Sequence, residues 1–135
     1  MRGIVLTTAL CALSTVAYAE PFKVGDPIMA AKSIICDTKE QVMEIFAGSK
    51  VDEGRGIEPV YLKYRQMKNG QGEPVCALQA VAGPTVKSID DLGETHGFAG
   101  NTVRGWLIEI AGLGGQTGWV LFGEETKAAP PGLAI

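Results

Sequence analysis

The start of the chain decides the environment in which the rest must fold. Met1 and Arg2 make a short positive opening, residues 4–16 are apolar, and Ala17-Tyr18-Ala19 puts small residues at both positions a signal peptidase reads. A signal peptide over residues 1–19 is expected, cut after Ala19. Its apolar stretch falls well short of the roughly 20 residues a membrane span needs, so no membrane insertion is expected after cleavage. Leu10 precedes Cys11 where a lipoprotein signal requires a small residue, which argues against lipidation. The mature chain is therefore expected to be periplasmic or secreted, where thiols oxidise.

In such a compartment Cys36 and Cys76, the two cysteines left after processing, read as a disulfide. The competing reading is a pair of buried thiols. A bond between them closes a loop of about 40 residues, for which the chain-entropy estimate is about 4 kcal/mol. Two cysteines so far apart, with the single histidine His96 in another segment, are not a zinc signature, and no metal or cofactor is expected.

Cleavage takes the 135-residue chain to about 116 residues, enough for one core and too few for two. A single α+β domain is expected over residues 20–123, followed by a disordered tail over 124–135 that contains Ala128-Ala129-Pro130-Pro131-Gly132. The 12 basic and 15 acidic residues give a net charge of −3, and loss of Arg2 makes it about −4. With no basic cluster to neutralise phosphates, nucleic acid is not an expected partner.

Along the mature chain, residues 28–36 read as a strand carrying Ile34 and Ile35. Thr38 followed by Gln41 is a capping-box pattern, and Val42, Ile45 and Phe46 then share one helical face before Gly48, predicting a helix over 39–47. Residues 49–57, charged and glycine-bearing, read as a loop. Pro59, the spacing of Val60, Tyr64 and Met67, and the stop at Asn69-Gly70 predict a second helix over 59–68. The rival reading of that segment is a strand ending in an Asn-Gly hairpin, because Val60-Tyr61-Leu62-Lys63-Tyr64 is rich in strand formers.

From Pro74 onward, short apolar runs at 75–82, 86–89, 102–111 and 118–122 alternate with Gly and Pro. Residues 102–111 are apolar on both faces, Val103 and Leu107 on one and Trp106, Ile108 and Ile110 on the other, which predicts a central strand. The expected fold is α+β: a small curled antiparallel sheet or partial barrel of four to five strands, with one or two helices inserted after the first.

Few residues point to chemistry. Gly112 to Gly118 is glycine-rich, but a strand rather than a helix follows, so it reads as a connection and not a phosphate loop. His96 is the one side chain of its kind, set in Asp90-Asp91-Leu92-Gly93-Glu94-Thr95-His96-Gly97, which reads as a solvated loop between strands. No serine sits in a Gly-x-Ser-x-Gly elbow, and carboxylates such as Glu109, Glu124 and Asp90 form no distinctive pair, so no catalytic residue is assigned. The aromatic residues Tyr61, Tyr64, Trp106 and Trp119 are the ligand-binding candidates, since Tyr and Trp offer large rigid area with a polar edge. Packing in the core is their alternative use.

Two resemblances add to this reading. Cys36-Asp37-Thr38-Lys39-Glu40-Gln41-Val42, with a second cysteine opening a strand at Cys76, resembles small exported proteins of proteobacteria that have no assigned activity. Gly115-Gln116-Thr117-Gly118-Trp119-Val120 is similar to the closing strand of bacterial SH3-like domains, barrels that bind cell-wall peptide or other ligands. The chain departs from that second pattern in its helices. The expected function is that of a non-enzymatic envelope protein, a small binding or structural module for a protein or cell-wall ligand. The alternatives are an inhibitor of an extracellular lysozyme or protease, presenting an ordered loop over 92–101, and a weak hydrolase using His96.

Overall fold

The computed structural model describes residues 19–97 and 100–128; the expected signal peptide up to residue 18, residues 98–99 and the end of the expected tail from 129 lie outside them. Four strands and two helices follow one another as β1 (Pro27–Cys36), α1 (Lys39–Gly48), α2 (Ile57–Gln66), β2 (Cys76–His96), β3 (Thr102–Ala111) and β4 (Thr117–Lys127). The strands pair antiparallel in the order of the chain and close into a barrel through β1 and β4, with both helices between β1 and β2. This is the curled sheet with inserted helices that the sequence implies.

Irregularities in the ladder produce the curl. Between Ala30 and Ser33, three steps along β1 match two along β2, so β1 carries an extra residue. A side-chain period of two means that such a bulge exchanges the faces of everything beyond it. Ile28 and Ala30 accordingly face the barrel interior, whereas past the bulge Ile35 does so and Ile34 and Cys36 turn toward the helices.

β2 is one strand where the sequence suggests two strands and a loop. Its first part pairs with β1 up to Thr85 and its second part pairs with β3 from Thr85 to His96. Gly83 and Pro84 bend the strand there rather than end it, since each side of the corner has its own partner. Two further bulges, between Val86 and Ser88 and between Asp91 and Gly93, keep it coiling. Residues 90–96, expected as a solvated loop, are thereby paired with 102–107. Likewise β4 runs to Lys127, into the expected tail, because the start of β3 supplies partners for Glu124, Glu125 and Lys127.

Two clusters of buried side chains result. Inside the barrel lie Ile28, Val81, Val86, Trp106, Ile108, Ile110 and Val120, with Phe22 and Phe122 closing one end edge to face. Outside it, Val42 and Ile45 of α1 and Tyr64 of α2 pack on Cys36, Cys76 and Leu107. β3 serves both clusters, as its two apolar faces imply, and Gly105, Trp106, Leu107 and Ile108 are all buried.

The helices form where local signals start them and the sheet gives their apolar faces a surface. The Thr38 hydroxyl accepts from the Gln41 N–H at 3.3 Å while the Gln41 side chain accepts from the Thr38 N–H at 3.0 Å, completing the capping box. α2 settles the helix-or-strand alternative in favour of helix, two residues earlier than expected. Ile57, Val60, Tyr61 and Tyr64 recur at helical spacing against the outer cluster, and Met67 lies beyond the last turn. Asn69 then organises the exit, its side-chain oxygen accepting from the N–H groups of Gln71 and Glu73.

The expected disulfide is present. Cys36 and Cys76 are direct register partners with Cα atoms 4.1 Å apart, so the bond crosses the neck from which the helical insertion leaves the barrel. No helix among the described residues is long and apolar enough to cross a membrane.

Replacing both cysteines, Cys36→Ala with Cys76→Ala, should lower stability by about 4 kcal/mol in denaturant titrations. A loss under about 1 kcal/mol would show that helix packing holds the neck by itself. The backbone at Gly105 lies beneath the Phe46 ring, where an added Cβ would sit 2.5 Å from Cε1. Gly105→Ala should therefore cost about 1–3 kcal/mol, most of it relieved in a Phe46→Leu background. Additivity of the two changes to within about 0.5 kcal/mol would exclude that contact as the cause.

Candidate functional site

β1 and β4 pair only at Ile34 with Leu121, Ile35 with Val120 and Cys36 with Trp119. Before Ile34 the first strand turns away toward β2, and after Leu121 the last strand keeps only β3. Where they part, a cleft of about 220 Å³ opens, bounded by Lys32 and Ser33 of β1, Phe46 and Ser49 at the end of α1, and Thr95 and His96 at the end of β2. Ile34, Ile57, Leu78, Val103 and Leu121 give it apolar walls, with Gly105 and Gly123 among the lining residues. These two glycines are register partners, and a Cβ at Gly123 would come 2.9 Å from Val103, so the close sheet packing here depends on their lack of side chains.

The polar groups of the cleft are unequal. Ser49 donates its hydroxyl proton to the Phe46 carbonyl, so in its 2.7 Å contact with Thr95 it is the threonine that donates. Both protons are thus engaged inside the protein. Ser33 differs: it is 2 % exposed, and its hydroxyl oxygen is buried without a hydrogen-bond partner among the described residues. An unsatisfied buried hydroxyl costs about 1–3 kcal/mol, and this one lies on the inward face of β1 that it shares with Ile35, opposite Ile34. Lys32 and His96 are exposed at the rim, and among the described residues no Asp or Glu lines the cleft although the chain as a whole is acidic.

His96 is grouped in this cleft with three hydroxyl residues, yet among the described residues no hydrogen bond joins it to a hydroxyl or a carboxylate. A nucleophile, base and orienting group in mutual contact are not assembled here. Glu109 lies opposite Trp119 and Glu124 opposite Arg104, so the register also keeps those two carboxylates apart. Among the described residues no three His, Cys, Asp or Glu side chains are grouped to hold a metal.

The aromatic candidates occupy two separate places. Trp106 is 2 % exposed inside the barrel, where its indole N–H donates to Glu124 at 2.8 Å. Tyr61, Tyr64 and Trp119 belong to the helix-side cluster. The Tyr61 hydroxyl accepts from the Leu78 N–H at 3.0 Å, and the Tyr64 hydroxyl donates to Glu44. Tyr61 thus fastens α2 to β2, and Tyr64 fastens α2 to α1. Sequence reasoning passed over Lys32 and Ser33. Their signal is a polar pair interrupting the apolar strand, but which face each side chain takes is set by the bulge.

Two charged groups brace the surroundings. The Gly93 N–H, and then the Arg104 guanidinium at 2.6 and 2.7 Å, hold the Asp91 carboxyl below its ordinary value against the opposing effect of desolvation. Between the helices, Tyr64 and Lys63 both donate to Glu44, which holds that carboxyl below 4.5 and raises the Tyr64 hydroxyl above 10.

A carboxyl whose folded value is depressed stabilises the fold above its unfolded value, and that contribution is lost as pH falls through the folded one. A phenol whose value is raised stabilises below its unfolded value and loses the contribution as pH rises through the folded one. Tyr64→Phe should therefore lower stability at neutral pH and flatten its decline between about pH 5 and pH 3. Denaturant midpoints measured across that range check this, and parallel acid slopes for both proteins would contradict it. No family model matches this chain, and no curated protein and no solved structure matches it.

Proposed function

We propose that the protein is a non-enzymatic module of the cell envelope, periplasmic or secreted, that binds a protein or cell-wall ligand in the cleft where β1 and β4 part. The observation that carries this reading is the apolar-walled recess with Lys32 and His96 at its rim and no Asp or Glu among its described lining residues. Binding sites commonly combine apolar walls with a few placed polar groups, and this recess has that composition. The signal-like leader and the buried disulfide support an oxidising compartment. His96 contributes to the rim of the site, and the reading assigns it no proton transfer.

Leu78 is 52 % exposed beside the cleft, so Leu78→Glu changes the mouth without disturbing the core. Immobilised protein should retain at least one component of an envelope extract that the Leu78→Glu form, unchanged in melting temperature, does not. Equal retention of every component by both forms would remove the cleft from the reading.

A further inference from the structure

A second recess, of about 310 Å³, opens where β3 turns back into β4, beside the neck that the disulfide closes. Its floor is apolar: Ile35 and Ile110 of the inner cluster, with their register partners Ala77 and Gly118. A β-carbon at Gly118 would lie 3.5 Å from both isoleucines, an ordinary contact distance, so the sequence leaves open a space that a side chain could occupy.

The rim is acidic. Asn69 gathers two carboxylate residues there: its side-chain N–H donates to Asp37 at 3.1 Å, and its side-chain oxygen accepts from the Glu73 N–H at 3.0 Å. Both acids are exposed, and among the described residues neither belongs to an ion pair. No Lys, Arg or His is among the described lining residues. This is the reverse of the cleft beside β4, whose titratable lining residues are Lys32 and His96, and the two recesses share no lining residue.

A complementary ligand carries positive charge on an apolar stem. The stem would cover Ile35 and Ile110 while the charged end reached the rim, as long cationic side chains do on apolar surface. Of the two common cations, the ammonium fits this recess. A guanidinium gains from an aromatic face to stack on and from a carboxylate free to take it with both oxygens. No aromatic residue is among the described lining residues, and Asp37 already accepts from Asn69 on one oxygen.

We propose that this recess binds a primary ammonium group carried on an aliphatic chain, the chemistry of a partner's lysine side chain or of a free diamine. The ammonium lies between Asp37 and Glu73, and the chain lies on the floor beside Gly118. The site is separate from the β1–β4 cleft and does not depend on it.

The test titrates the isotopically labelled, disulfide-bonded protein and follows amide chemical shifts. The probes are a short peptide with one central lysine, the same peptide with that lysine acetylated, and diaminopentane. The lysine peptide should shift the amides of Ala77, Gln79 and Gly118 and bind at least about tenfold more tightly than the acetylated one, because acetylation removes the charge. Glu73→Gln should weaken it several-fold, and raised salt should weaken binding to the parent protein. Gly118→Ala places a methyl group over the floor, so it should weaken binding with the melting temperature unchanged or raised. Diaminopentane matching the lysine peptide would make a free amine the ligand, and much weaker binding of diaminopentane would make it a lysine of a partner protein. Equal affinity for the two peptides would overturn the ammonium, and no shift at these amides with any probe at millimolar concentration would overturn the site.

Discussion

Cys36 stands where three strands and the helical insertion meet. It ends β1, pairs across the sheet with Cys76 at the start of β2, and pairs on its other side with Trp119 of β4. The covalent bond to Cys76 fixes the neck of the insertion, so the helices leave the sheet and return to it at one defined place. Without that constraint the unfolded chain has a loop of about 40 residues to close before Val42, Ile45 and Tyr64 can find the sheet. Both sulfurs are buried in the cluster they organise, so crosslink and packing support each other.

The barrel depends on bulges as much as on hydrogen bonds. A regular β1 would keep one face inward along its whole length and could not bury Ile28 in the interior while also presenting Ile34 and Cys36 to the helices. The extra residue before Ser33 changes that, and the irregularities along β2, at 82–85, 86–88 and 91–93, allow one strand to leave β1 and follow β3. The cost of this curvature appears at the seam, where β1 and β4 meet at only a few residues and then diverge. The recess beside Ser33 is the direct consequence of that divergence, and its apolar walls are the ends of elements whose remaining lengths are engaged elsewhere.

The aromatic residues carry structural roles that composition alone does not reveal. Trp106, Tyr61, Tyr64 and Trp119 have the chemistry of an interface, yet the fold uses them for packing and for hydrogen bonds to Glu44, Glu124 and the Leu78 N–H. A small barrel encloses little volume, so a large side chain on an inward position fills much of it.

The sequence by itself determined the helix start at Thr38, the two-faced strand from Thr102 to Ala111, the pairing of Cys36 with Cys76 and the α+β arrangement of helices between strands. Each rests on local spacing or on a residue type with few uses. Only the tertiary structure decided that Gly83-Pro84 is a corner, that residues 90–96 and 124–127 are strand, and that a cleft opens where β1 and β4 part. Strand partners and bulge positions belong to neighbours remote in the chain, and a displacement of one residue exchanges the faces of a strand. Local sequence carries no record of that exchange, so the fold class was legible and the cleft was not.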